Sequence, residues 1–205
     1  MTNYLVSFCV GYFIGSIPTA YLVVKKTSNV DIRTVGSGNV GGRNALDVTG
    51  KKSVGAAVVV IDVLKGIVSV LLAYFLSEEK DVSISYAMVG AVAGHCYPVW
   101  LKFKGGRGLA TAAGVFLATS WIWIAVWLIL YFGSSKAIKN IHLSSVAALA
   151  LTPVIVWLMP GYWMESLITG IFSRETFFTA GLLVIIVCLT KHIQPLKEYY
   201  EKKNN

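Results

Sequence analysis

Two short glycine-rich stretches hold the residues best suited to gripping an anion. Residues 35 to 44 read V-G-S-G-N-V-G-G-R-N, and residues 103 to 108 read F-K-G-G-R-G. In the first, Gly36 and Gly38 let backbone N–H groups approach a ligand, Ser37, Asn39 and Asn44 supply side-chain donors, and Arg43 adds a planar fork. In the second, Lys104 and Arg107 stand among Gly105, Gly106 and Gly108, with Lys102 just before them. An apolar run from Leu109 predicts a helix there, whose N-terminal N–H groups add positive potential where an oxyanion would dock. Taken singly, the first stretch also reads as a flexible interhelical loop, and the second as a cationic anchor marking one side of a membrane. Two such stretches facing one side favour a shared phosphate site.

Other chemistries lack their signatures. Gly36, Gly38 and Gly41 satisfy G-x-G-x-x-G as a string, but a dinucleotide site needs a preceding strand and a βαβ unit, whereas this string lies between apolar helical runs. No Lys-Ser or Lys-Thr follows at the place a Walker loop requires. The chain has no His-Glu-x-x-His and no Cys-x-x-Cys, so neither a metal nor another cofactor is expected. Cys9, Cys96 and Cys188 all lie in apolar segments and form no disulfide framework. The H-x-x-x-x-D signature of thioester-using acyltransferases is also missing. His95 and His192 are candidates for proton handling, although a lone histidine in an apolar helix also serves as an interhelical hydrogen-bond partner. Asp62 and Lys65 share a helix face three residues apart, which reads either as a structural ion pair with each other or, functionally, as a supporting pair with Lys65 facing the site as a charge complement.

The elements that position these residues follow from composition. Of 205 residues, 56% are hydrophobic and 14% charged, and the long runs are apolar on all sides. That pattern predicts an all-α polytopic membrane protein, a single domain over residues 1–205. A net charge of +8 carried in the loops suits anionic head groups or phosphorylated ligands, and the lack of a long basic run argues against nucleic acid. Spans are expected at residues 4–24, 53–76, 83–101, 143–159 and 176–190, with polar loops at 25–52, 102–108 and 134–142, a connector at 160–175 and a basic tail from Lys191. The N-terminus has no basic leader region and no cleavage site, so the first helix is expected to be retained.

Residues 109–132 admit one span or two short ones about the polar pair Thr119 and Ser120. A hairpin puts both glycine stretches, residues 134–142 and the tail on one side with almost all the loop cations, leaving Lys80 and Arg174 on the other. A single span divides the cations far more evenly, so the positive-inside rule selects the hairpin. The result is seven helical segments, with the N-terminus outside and the C-terminus in the cytoplasm. Two helices of roughly 11 residues would each reach only ~16 Å and need shielding by their neighbours.

A longer set of motifs runs through most of the chain: Gly15-Ser16-Ile17-Pro18, Asp31-Ile32-Arg33, Gly36 to Asn39 with Asn44, Gly50-Lys51-Lys52, Asp62 with Lys65-Gly66, Gly94-His95 with Pro98, and Lys102 to Gly108 leading to Thr111. In this order it resembles the acyl-phosphate-dependent glycerol-3-phosphate acyltransferases of bacterial membranes. The resemblance implies a seven-helix inner-membrane enzyme that moves an acyl group from acyl phosphate to the 1-hydroxyl of glycerol 3-phosphate, giving lysophosphatidic acid in the first step of phospholipid synthesis. It implies phosphate binding by Ser37, Asn39, Asn44 and the 104–108 loop, charge stabilisation by Lys104 and the glycine N–H groups, and an acyl tail among the lipid-facing helices. The proton acceptor is left open between His95, His192 and the substrate's own phosphate.

The chain departs from the family pattern in having Gly42-Arg43-Asn44 for Ala-Thr-Asn, Asp47 for Arg, His142 for Ser and Pro195 for Asn. If a helix has begun by Arg43, this residue keeps a cation on the face that carries Asp47 one turn later. The departures admit two other readings, a relative acting on another phosphorylated acceptor or a non-catalytic phosphate-binding transporter. Nothing in the sequence sets an oligomeric state. The topology has a direct check: a tag at residue 137 is expected to be accessible only from the cytoplasm, and labelling from outside intact cells would overturn it.

Overall fold

The computed structural model describes residues 2–160 and 173–204, so most of the connector expected at 160–175 lies outside the described residues. Within them the long elements are all α-helical, as all-round apolar runs predict. The first run, expected as one helix over 4–24, is two: α1 (Thr2–Gly15) and α2 (Thr19–Ser28). Pro18 has no N–H to continue the ladder, and Thr19 donates to the Ile17 carbonyl instead of reaching back four residues. The polar loop then contains a short helix, α3 (Gly42–Thr49), closed by a left-handed Gly50. The next helices are α4 (Lys52–Leu76) and α5 (Lys80–Cys96), followed by a 3-10 turn at Val99–Leu101.

The expected hairpin forms, with different arm lengths. Helix α6 (Leu109–Thr119) has 11 residues and ends in an extended Ser120, where the polar pair predicted the turn. Its partner α7 (Ile122–Ile138) has 17 residues rather than about 11. The polar residues Ser134 to Lys136 do not stop it, because Lys136 in the last turn suits the helix C-terminus and the chain leaves only at a left-handed Lys139. Helices α8 (Ile141–Leu158), α9 (Arg174–Thr190) and α10 (Ile193–Asn204) complete the chain. The seven expected segments are thus ten helices among the described residues. The extra three come from the break at Pro18, from α3, and from α10 in what was expected to be a basic tail.

Four helical stretches, Tyr4–Ser28, Lys52–Leu76, Ile141–Leu158 and Arg174–Glu201, are long and apolar enough to cross a membrane. With α5, α6 and α7 they make the bundle of an integral membrane protein. Packing between α1 and α5 is close: a Cβ on Gly94 would strike the Tyr12 carbonyl oxygen, so only glycine permits the contact. The main core joins α5 to α9, and in it Trp123 stacks on Phe116 at 5.0 Å and meets Phe177 edge-on at 6.2 Å. A smaller cluster lies under the first glycine stretch, where Ile32, Val40, Ala45, Val58 and Leu101 are buried together.

Deep in the bundle the expected ion pair is present, with Lys65 Nζ 2.8 Å from Asp62 Oδ1 and both side chains buried. The same ammonium donates to the carbonyls of Gly15 at 3.0 Å and Ile17 at 2.8 Å, which the Pro18 break leaves without the usual helical donors. Removing one member of such a buried pair costs about 3–5 kcal/mol. Lys65→Ala is therefore expected to lower the melting temperature in detergent sharply, whereas the double change Asp62→Asn with Lys65→Met loses less than the single one. A single variant that melts like the parent would refute this account.

Candidate anion-binding site

The first glycine stretch is held from within. Asn44, in the first turn of α3, is 1% exposed and turns its carboxamide back under the loop. Its Nδ2 donates to the carbonyls of Ile32 at 3.2 Å, Val35 at 3.3 Å and Asn39 at 3.0 Å, and its Oδ1 accepts from the Ser37 N–H at 3.0 Å. Ile32 and Val40 anchor the two ends in the small core. Arg33 pairs with Asp31 at 2.6 Å where the loop begins, and its hydrogen bonds hold the Asp31 carboxyl down to about 2. The loop is a shaped object before any ligand arrives.

The second stretch is fixed by its backbone. Lys102 and Phe103 both have left-handed conformations, turning the chain back toward α5. The Gly105 N–H then donates to the Cys96 carbonyl at 3.2 Å and the Gly106 N–H to the His95 carbonyl at 3.1 Å. These two donors cap the end of α5, and so are not turned toward a ligand. A Cβ on Gly106 would collide with the His95 ring, so glycine lets the loop close over that side chain. Free donors begin instead at the first turn of α6, behind Gly108.

Between the two loops is a cavity of about 420 Å³. Ser37, Gly38 and Asn39 line it from one loop, and Lys104, Gly105 and Arg107 from the other. Partial burial lowers the Arg107 pKa and Glu198 opposes that shift; a guanidinium stays charged at neutral pH regardless. The far wall is built by the α7–α8 junction, with Asn140 and His142, and by the chain from Lys191 to Tyr199. Asn140 caps α8 by accepting from the N–H groups of His142 and Leu143 at 2.9 and 3.0 Å. Lys191 rests over the Tyr97 ring, 4.7 Å from its centroid, and Tyr97 in turn bonds Thr190 at 2.5 Å.

The sequence-derived residues divide clearly. Ser37, Gly38, Asn39, Lys104, Gly105 and Arg107 meet in the cavity. Gly36, Asn44, Gly106 and Gly108 shape its loops without lining it. Arg43 lies outside, exposed, and pairs with Asp47 one helical turn later at 3.1 Å. His95 is buried beneath Gly106, with Nδ1 3.4 Å from Lys65 Nζ and 3.7 Å from Asp62 Oδ1. His192 is 1% exposed and its Nδ1 lies 2.9 Å from the Cys188 carbonyl. Neither histidine lines the cavity. Sequence reasoning missed Asn140, Lys191, Gln194, Glu198 and Tyr199, and noticed His142 and Pro195 only as departures. A signal was available: Ile193, Leu196 and Tyr200 have helical spacing, so the tail reads as an amphipathic helix and not as a loose basic tail, although Ile193 and Tyr200 themselves stay exposed.

Lys104, Arg107 and Lys191, with the hydroxyl of Ser37 and the amide of Asn39, form an arrangement suited to a multiply charged phosphoryl group. Against known proteins, residues 5–202 match the family model for glycerol-3-phosphate acyltransferase. The glycerol-3-phosphate acyltransferase of Bartonella henselae is 40% identical over 161 residues, covering 76% of this chain and 74% of its own. That of Methylorubrum populi is 41% identical over 153 residues, covering 75% and 74%. The crystal structure of PlsY (YgiH), an integral membrane glycerol 3-phosphate acyltransferase, in its glycerol 3-phosphate form is similar with a TM-score of 0.80 at 26% identity, over 98% of this chain and 94% of that one. Its lysophosphatidic acid form gives 0.78.

The bracing by Asn44 predicts a contrast. Asn44→Ala is expected to loosen residues 33–40, seen as much faster nicking there in limited proteolysis. Arg43→Ala removes only an exposed pair and should leave the nicking rate unchanged. Equal rates for both variants would show that the carboxamide does not hold the loop.

Proposed function

The chain belongs to the glycerol-3-phosphate acyltransferase family, and from this we propose that it transfers an acyl group from acyl phosphate to the 1-hydroxyl of glycerol 3-phosphate, releasing phosphate and forming lysophosphatidic acid. The observation that carries the reading is the cavity itself, where two glycine loops and the C-terminal segment bring Lys104, Arg107 and Lys191 together. An acyl phosphate is already an activated mixed anhydride, so no covalent enzyme nucleophile is required. The protein's task is to place the donor carbonyl beside the acceptor hydroxyl and to stabilise the charge that moves onto oxygen.

In this assignment Lys104 and Ser37 contact the reacting phosphate and carbonyl oxygens, Asn39 and Arg107 hold phosphate, and Gly38 and Gly105, whose N–H groups donate to the Val35 and Cys96 carbonyls, leave room for it at the cavity wall. Gly36, Asn44, Gly106 and Gly108 act by shaping the loops. O1 of the acceptor attacks the acyl carbon, and the tetrahedral intermediate expels phosphate with the bonding electrons. The positions of His95 and His192 outside the cavity favour a phosphate oxygen as acceptor of the hydroxyl proton, with a second pKa of roughly 6. Behind Arg107 a separate apolar space of about 100 Å³, lined by Leu109, Phe116, Trp123 and Trp127 among others, suits part of the acyl chain. The whole chain would act as one catalytic domain in a bacterial cytoplasmic membrane, multi-pass, with the N-terminus outside and the site on the cytoplasmic side.

A related reading, transfer to a different phosphorylated acceptor, is favoured by one observation: His142 and Pro195, both departures from the family pattern, line the cavity. Purified protein given acyl phosphate and glycerol 3-phosphate is expected to release phosphate and form lysophosphatidic acid. Release only with another polyol phosphate would select the related reading, and none with any donor would overturn both. Lys104→Ala and Ser37→Ala are each expected to lower turnover by about 100-fold or more with unchanged melting. Near-normal rates in both would remove the site assignment.

A further inference from the structure

The cavity contains a group that phosphate binding does not explain. Among the described residues that line it, Glu198 is the one carboxylate, set among Lys104, Arg107 and Lys191. A carboxylate repels a phosphate dianion and offers it only acceptor oxygens. It is suited to accepting a hydrogen bond from a hydroxyl, and the other polar side chains here are mainly donors. One helical turn earlier on α10, Gln194 donates from Nε2 to Glu198 Oε1 at 3.1 Å, an exposed contact that biases the carboxylate toward this wall. The carboxylate keeps capacity to accept further hydrogen bonds. The carboxamides of Asn140 and Gln194 flank the same wall.

We propose that Glu198 is a specificity residue for the acceptor, taking a hydrogen bond from the hydroxyl that is not acylated and so selecting a polyol phosphate over a simple hydroxyalkyl phosphate. The assignment deepens the acyltransferase reading and rests on it. The phosphate of the acceptor lies toward the cations and its free hydroxyl toward α10, which leaves the reacting hydroxyl to meet the donor. Glu198 is exposed on one side of α10, so its replacement does not open the core.

The test compares glycerol 3-phosphate with 3-hydroxypropyl phosphate, which lacks the second hydroxyl, using acyl phosphate as donor. The parent protein is expected to prefer glycerol 3-phosphate. Glu198→Ala should lower kcat/KM for glycerol 3-phosphate by about 10- to 100-fold, mostly through KM, and leave 3-hydroxypropyl phosphate nearly unchanged. Glu198→Asp, which keeps the charge, should recover part of the loss. An equal loss on both acceptors, a loss confined to kcat, or no loss at all would overturn the assignment while leaving the acyltransferase reading standing. No turnover by the parent protein with either acceptor would overturn that reading and this assignment together.

Discussion

One ammonium group in the interior of the bundle sets the frame for everything around it. Pro18 breaks the first membrane helix and diverts the Thr19 N–H to the Ile17 carbonyl, so the Gly15 carbonyl loses its helical donor where water is scarce, a situation that costs several kcal/mol if nothing answers it. Lys65 answers it by donating to the carbonyls of Gly15 and Ile17. Burying that charge requires a counter-charge, and Asp62 supplies one from the preceding turn of the same helix. His95 packs against both, and Gly106 closes over its ring. The placement of the second glycine loop therefore depends, through three contacts, on a lysine that never reaches the cavity.

The two loops are held by different means and share one outcome. A single buried carboxamide braces the first, and backbone bonds to the end of α5 fasten the second. In both, much of the backbone hydrogen-bonding capacity goes to holding the loop itself. What faces the cavity is chiefly side chain: the hydroxyl of Ser37, the cations of Lys104 and Arg107, and the lysine resting on Tyr97. A backbone fastened by its own hydrogen bonds, with charged side chains facing the cavity, suits a site that must orient phosphate and still release product.

What was legible in the sequence follows the range of the interaction concerned. The helical class, the turn at Thr119 and Ser120, and the pairing of Asp62 with Lys65 all rest on spacing within a few residues, and periodicity carries them. The length of α7 was misjudged because polar residues near a helix end look like a loop until the bundle shows which of them still pack. Arg43 looked like a ligand for phosphate because its neighbours were glycines, while its true partner, Asp47, stood one turn along the same helix. The α10 wall was the largest omission. Lys191 to Tyr199 join the site because the chain continues as helix after a two-residue turn at Lys191 and His192, next to α8, a tertiary placement that local charge composition conceals.

The apolar space along α6 and α7 begins at Leu109, two residues after the Arg107 that lines the anion cavity. On the proposed reaction, one reactant is confined to a leaflet and the other is free in solution. The first then arrives by lateral diffusion within a sheet, the second by ordinary diffusion from bulk. Turnover would accordingly track the mole fraction of the fatty reactant in the bilayer, and added inert lipid would slow the reaction by surface dilution even when the total amount of that reactant is unchanged.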